Sequence, residues 1–408
     1  MVHYQGSVPN ARLAALDDTR LLATVDGPAG IISTDAARTW SAPFPYLQSG
    51  KPLQGIPHSV LKLRDGRLGM IYAKKETVKG GSYVTPIRTW MYSHSEDDGK
   101  NWSAGVALDL PARYEDDKDS PGENKGVHVA YPFGDMIQLG SGRLILPLYW
   151  YMGGRHPDLH GISVGPGHGM IRGKPKHRID GHLYEAAMGG CFTYFSDDLG
   201  KTWQRSTGSV MVWPLPGENG IGGFGATWEP VLVELDRGRV AMFMRTNVGR
   251  IFRTISDDGG DHWLLAKATE LSSGDVPCWV KRVKTTGDVL IIWNQASADE
   301  IRRGYSRGRL STAVSKDQTE SWSHFKTVER SDGLDAVDRI APSPIQHVRA
   351  NADLGVLPDR YCYHHYPRLH FVQDKAVLFY NSGGMSESGQ WKGWTPVVKV
   401  VAEKWLYT

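Results

Sequence analysis

At 408 residues the chain has room for two or three average domains, or for one large all-β ring with a substantial core. Its 47 Lys and Arg against 44 Asp and Glu leave a formal net charge of +3 with no run of like charge, so neither nucleic acid nor a membrane surface is expected as a partner. The 47 glycines and 14 tryptophans suggest many turns and packed indoles, and Cys191, Cys278 and Cys362 are too scattered for a disulfide framework or structural zinc.

No apolar stretch approaches the roughly 18 residues of a membrane span. The start, MVHYQGSVPN, has neither a basic nor an apolar leader region. The compartment is left open between the cytoplasm and a trimmed secreted or periplasmic protein.

Along the chain two patterns alternate. The first is a pair of apolar, β-branched-rich runs joined by a short polar turn, the mark of a hairpin. It begins at Ala11 (ARLAALDDTRLLATV), Ser59 (SVLKLRDGRLGMIYA), Asp135 (DMIQLGSGRLILPLY), Pro230 (PVLVELDRGRVAMFM), Trp279 (WVKRVKTTGDVLIIW) and Arg368 (RLHFVQDKAVLFYN). The second is the frame Ser-x-Asp-x-x-x-x-Trp, found at Ser33 (STDAARTW), Ser95 (SEDDGKNW), Ser196 (SDDLGKTW), Ser256 (SDDGGDHW) and Ser315 (SKDQTESW). In that frame the Asp can accept hydrogen bonds from later backbone N–H groups of the turn. Gly, where present, supplies a positive φ, and the closing Trp packs its indole on the sheet.

Six hairpins, five of them followed by such a box, predict six four-stranded sheets closing radially into an all-β, six-bladed β-propeller. The expectation is a single propeller domain over residues 1–408 with no convincing amphipathic helix. Insertions are expected at about 104–127 and 151–190, of the functional or disordered kind. The second insertion carries His156, His160, His168, His177 and His182. HPDLH from His156 is the nearest approach to a ligand spacing, and a solvated or lid loop is the reading adopted, with no metal and no cofactor expected.

The boxes resemble those of the sialidase (neuraminidase) superfamily of BNR, or Asp-box, propellers, and the resemblance covers nearly the whole chain. The box is a turn staple shared with non-enzymatic propellers, so chemistry has to be read from the innermost strands. Members of the superfamily are known for three arginines that bind the substrate carboxylate, a Tyr nucleophile with a Glu partner, and an Asp acid/base. WEPVLVELDRGRVAMFMR resembles the segment of that Glu and of one arginine, which implies Glu229 and Arg245. RGRLSTAVSKD resembles the segment of another arginine and implies Arg307; YPRLHFVQDKAVLFYN resembles the nucleophile's strand and implies Tyr366.

Two positions depart from the pattern. The first arginine precedes an Ile-Pro in the family, but GIPHSVLKLRDG puts Gly55 there. The stretch expected to hold the catalytic Asp, TVKGGSYVTPIRTW, contains no acid, and Glu76 is the nearest carboxylate. His58, just after the Ile-Pro, and His128, in HVAYPFG, are the alternative acid/base groups, since histidine titrates near neutral pH.

Arginine forks bind carboxylates bidentately, so a converging pair favours an anionic sugar. A neutral Tyr suits such a substrate because a carboxylate nucleophile would be repelled, and sialidases are among the glycosidases that use one. The leading expectation is an exo-acting glycoside hydrolase that releases a terminal acidic sugar from a glycan or oligosaccharide. Tyr366, Glu229, His58 and His128 are the catalytic candidates, with Arg245, Arg307 and Glu76 as substrate contacts. A polysaccharide lyase acting on uronate glycans and a non-catalytic glycan-binding propeller are the alternatives; the oligomeric state is left open.

Overall fold

The computed structural model describes residues 2–6, 12–25, 27–76, 87–108, 129–152, 168–171, 174–177, 188–212, 227–346, 360–385 and 391–408. Most of both expected insertions, with His156, His160 and His182, lies outside these residues; His168 and His177 sit in a two-stranded ribbon, His168–Ile171 with Lys174–His177. The described architecture is a β-propeller.

Each large sheet begins with a strand near the ring's axis. These strands are β1 (Arg12–Ala15), β2 (Ile56–Lys62), β3 (Val129–Pro132), β4 (Thr227–Glu234), β5 (Cys278–Arg282) and β6 (Cys362–Val372). Antiparallel neighbours follow outward in chain order, as hairpin connections require. β1 packs against β2 and β6, and β5 against β4 and β6, while the third sheet meets β4 through Leu144–Met152. Apolar side chains fill the wedges between adjacent sheets: Leu63, Ile71, Tyr92, Leu146 and Phe192 make one such layer, and Leu139, Ile145, Leu232 and Met242 the next.

The expected count of six sheets needs correction. Among the described residues there are seven sheets of three or more strands, six with four or five strands and a seventh with three. The extra one joins Leu47–Gln48, Lys51–Pro52 and Asn101–Trp102. Its strands are two residues long, too short to show any hydrophobic alternation. The described residues also contain one short helix of five residues, Ala298–Arg302; Ser297 and Glu300 form a capping box at its start. The last sheet takes its fourth strand from the other end of the chain, Val2–Gly6 pairing antiparallel with Trp391–Ala402.

All five boxes follow the third strand of a sheet and share one construction. The Ser hydroxyl donates to the Asp Oδ1, at 2.8 Å in the box of Ser196, and accepts from the backbone N–H of the fifth residue at 2.8 Å. Asp198 also accepts from the backbone N–H of Thr202 at 2.9 Å and from its hydroxyl at 2.7 Å. The fifth residue has a positive φ in every box, including the non-glycines Ala37 and Thr319 at 65° and 75°. All five boxes keep the Ser and the Asp, whereas Ala and Thr take the fifth position in two of them.

Burial would raise the Asp198 pKa, but the bonds from Thr202 and Ser196 outweigh it and bring the group down to about 2; Asp258 is held at about 2 in the same way. A carboxylate depressed in the folded state stabilises above its unfolded pKa, near 4, and that stability is lost as pH falls through the folded value. Denaturant titrations should therefore show stability falling between about pH 4 and pH 2. Asp198→Ala should lose about 1–3 kcal/mol at neutral pH, with a smaller deficit at pH 2.

Candidate active site

Three neighbouring sheets bring Glu229, Arg245, Arg307 and Tyr366 together. Glu229 is on β4 and Tyr366 on β6, and each sits where the pairing register shifts, between Trp228 and Val231 and between His365 and Arg368. At both bulges the residue is pushed into left-handed backbone, with φ of 47° for Glu229 and 51° for Tyr366. Such a conformation is uncommon for a residue with a Cβ and is concentrated where function over-determines the geometry. The bulge turns both side chains toward each other: the Tyr366 phenol donates to Glu229 Oε1 at 3.2 Å.

Arg245 reaches the pair from Val240–Thr246, the strand next to β4, where it lies opposite Trp228 in the ladder. Its Nη1 donates to Glu229 Oε2 at 2.6 Å and its Nε to Asp275 Oδ1 at 2.7 Å. Burial would lower the Arg245 pKa, but the adjacent charges of Asp275 and Glu229 raise it well above the ordinary arginine value. Its Nη2 is buried with no hydrogen-bond partner among the described residues.

Asp275 was not singled out from the sequence, since one Asp in the loop SSGDVPC carries no pattern. Gly274 beside it explains its location: a Cβ there would come within 2.5 Å of the Ser306 carbonyl, so only glycine lets this loop approach Arg307.

Arg307 is buried, with its guanidinium 5.3 Å from the Tyr366 ring centroid and 5.4 Å from that of Tyr363. Its backbone is tied to β6, because Arg307 O accepts from the His364 N–H at 3.0 Å. The Asn294 amide reinforces the tie by donating to His364 O at 2.7 Å and to Arg309 O at 3.2 Å. The sequence signal for Asn294 is only a polar residue ending the apolar run VLIIWN.

The remaining candidates are placed differently. His58 stacks edge-on against Trp90 and lies near Phe133 and the charges of Arg12 and Arg368. Burial first, then those two arginines, push its pKa well below the usual imidazole value. It is neutral at physiological pH and can take up a proton only at cost. His128 and the side chain of Glu76 lie outside the described residues.

Gly55 leaves no space for an arginine: a Cβ there would be 2.6 Å from the Tyr72 ring and 3.0 Å from the Ala73 carbonyl. A different arginine, Arg12 at the head of β1, extends its charge to His58 and Arg368 inside the ring. Sequence reasoning missed it because the first hairpin, ARLAALDDTRLLATV, lacks the Ile-Pro that marks the family's first arginine.

The chain matches the model of the BNR repeat-like domain over residues 31–377 and belongs to that family. It is a sialidase-like BNR propeller. No curated protein matches it. Among solved structures, a Dyadobacter fermentans protein of unknown function is similar with a TM-score of 0.55 at 13% identity, over 98% of each chain. The intramolecular trans-sialidase of Ruminococcus gnavus, in complex with oseltamivir carboxylate, gives 0.51 at 14% identity, over 99% of this chain and 96% of that one. Trypanosoma rangeli sialidase, in complex with 2,3-difluorosialic acid as a covalent intermediate, gives 0.51 at 13%, covering 98% of this chain and 55% of its own. At these identities the likeness is one of fold.

The Tyr366 pKa is raised, first by the charge of Glu229 and then by burial, with Arg307 and Arg245 opposing. Removing the first cause should let tyrosinate form at lower pH. An ultraviolet titration of Glu229→Gln, taken as a difference against the same protein carrying Tyr366→Phe, should show a lower midpoint than the corresponding wild-type difference. Equal midpoints would mean the two groups do not interact in solution.

Proposed function

We propose that the protein is a glycan-active enzyme, an exo-acting glycoside hydrolase that removes a terminal acidic sugar through a covalent glycosyl–tyrosine intermediate. One observation carries the reading: the Tyr366 phenol donates to a carboxylate, Glu229, that is itself held by a buried arginine. As the phenolic oxygen bonds to the anomeric carbon, Glu229 takes the phenolic proton and the glycosidic C–O bond breaks, the leaving oxygen taking a proton from solvent. Water then adds to the anomeric carbon and gives up one proton to solvent, while the sugar–tyrosine bond breaks and the phenolate recovers its proton from Glu229. The raised pKa of Tyr366 keeps the resting phenol neutral. A neutral nucleophile meets an anionic sugar without charge repulsion.

Substrate binding is assigned to Arg307 and to the Nη2 edge of Arg245. The Nε and Nη1 groups of Arg245 are engaged by Asp275 and Glu229, so it offers the Nη2 amino group rather than a fully free fork. Arg12 takes the role that Gly55 cannot. The ligands bound to the Trypanosoma and Ruminococcus neighbours, a difluorosialic acid and oseltamivir carboxylate, are in keeping with an anionic six-membered ring.

The test is a panel of chromogenic glycosides of acidic monosaccharides, ketosides and uronides, assayed with wild type and two variants. Tyr366→Phe should reduce turnover to background, and Glu229→Gln should lower kcat by roughly 10²–10⁴-fold. Full activity in Tyr366→Phe would remove the nucleophile. An unsaturated product from uronate polymers, seen by its ultraviolet absorbance, would mark a lyase instead; saturable binding with no turnover on any substrate would mark a binding propeller.

A further inference from the structure

The strands of the last sheet are the longest among the described residues. β6 and Lys375–Met385 have 11 residues each and Trp391–Ala402 has 12, while the next longest, such as Leu144–Met152, have 9. Tyr366 lies part-way along β6. One way from it leads to Arg368 and His370, buried inside the ring; the other leads through His365 and Tyr363 to the start of the strand.

In that extension one cross-strand row runs from Tyr363 through Gly383 to Trp394. Residues paired directly across a sheet share a face, and Gly383 has no side chain to stand between the other two. The Trp394 indole therefore lies down across the sheet. Its ring centroid is 4.7 Å from that of Tyr363 and 4.0 Å from that of His365, on which it stacks with an interplanar angle of 18°. His365 in turn meets the Tyr366 ring edge-on, with centroids 4.9 Å apart.

Trp394 is nonetheless 47% exposed. Every other tryptophan, tyrosine and phenylalanine whose side chain is described is buried or half-buried. A lone exposed apolar side chain needs no explanation in itself. This one is set apart by an orientation fixed by stacking and by a path of two ring contacts to Tyr366.

The surroundings limit what the indole can hold. Burial, then the charge of Arg307, bring the His365 pKa down to about 3, so the ring stacked on the indole is neutral. The Arg307 guanidinium is 5.4 Å from the Tyr363 ring in the same aromatic group, which disfavours a cation there. The face of an indole is the negative part of its quadrupole and attracts the weakly positive C–H hydrogens that cover one side of a pyranose. A glycan whose terminal sugar sits at Tyr366 has to carry its next ring toward solvent, past the exposed surface beside that residue.

We infer that Trp394 is the platform of a second subsite, which takes the neutral pyranose next to the terminal sugar by stacking on its C–H face. The subsite deepens the reading of Tyr366 and Arg307 as the place of the terminal sugar, and rests on that reading for the order of the two rings.

Binding can be read without turnover. Lactose, a neutral disaccharide of two pyranoses, is titrated into the full chain and followed by saturation-transfer NMR on its C–H protons. Wild type should give a saturable signal. Trp394→Ala, a truncation at an exposed position, should raise the half-saturation concentration roughly tenfold, and Trp394→Phe, which keeps a ring face, should recover most of the loss. With acidic glycosides, Trp394→Ala should raise KM roughly tenfold more for a lactose leaving group than for methanol. No lactose signal in wild type, or the same half-saturation point in Trp394→Ala, would overturn the subsite; so would an equal signal from sorbitol, an open-chain polyol. An equal rise in KM for both leaving groups would put Trp394 on the terminal sugar and overturn the assignment. Lactose binding that is lost in Trp394→Ala, with no acidic glycoside turned over by wild type, would uphold the subsite and count against the hydrolase alone.

Discussion

A β-sheet edge has to be paired, covered or closed, and the structure is organised by how this chain meets that requirement. The sheets stand side by side so that their first strands pack on one another, and the ring is completed when Val2–Gly6 pairs with Trp391–Ala402. The consequence is that β4, β5 and β6, distant in sequence, converge at the axis. Glu229 and Tyr366 are 137 positions apart yet share a hydrogen bond. Radial closure, rather than any local motif, assembles the candidate site.

Stabilisation and candidate chemistry are divided along each sheet. The boxes follow the third strands, well out from the axis, and are closed by local Ser, Asp and backbone bonds. The candidate residues come from first strands, from a second strand in the case of Arg245, and from the loop before the third in the case of Arg307. There the ladder is interrupted by bulges and side chains are held by long-range contacts, such as Asn294 to His364 O. A chain can therefore keep every box while its axial residues diverge, and the familiar staple says little about activity.

The same division explains what was legible beforehand. The boxes repeat and their chemistry is local, so propeller architecture followed from the pattern Ser-x-Asp-x-x-x-x-Trp. The small sheet of Leu47–Gln48, Lys51–Pro52 and Asn101–Trp102 was invisible because two-residue strands carry no periodicity. Glu229 and Tyr366 could be paired only through family resemblance. Asp275, which grips Arg245, and Arg12, which stands inside the ring, lack any local signature; only tertiary closure gives them neighbours. The helix at Ala298–Arg302 was readable, since Ser297 and Glu300 already spelled its capping box, but the surrounding strand pattern masked it.

The left-handed backbone at Glu229 and Tyr366 has an evolutionary corollary. A residue with a Cβ in that region stores strain that glycine or asparagine would relieve, so the two positions are worth keeping only while their side chains are needed. A lineage in which those side chains were no longer needed would drift toward Gly or Asn at both bulges and become more stable by doing so. Among homologous propellers, the identity of these two residues should therefore report on whether their side chains are still in use more directly than the boxes can.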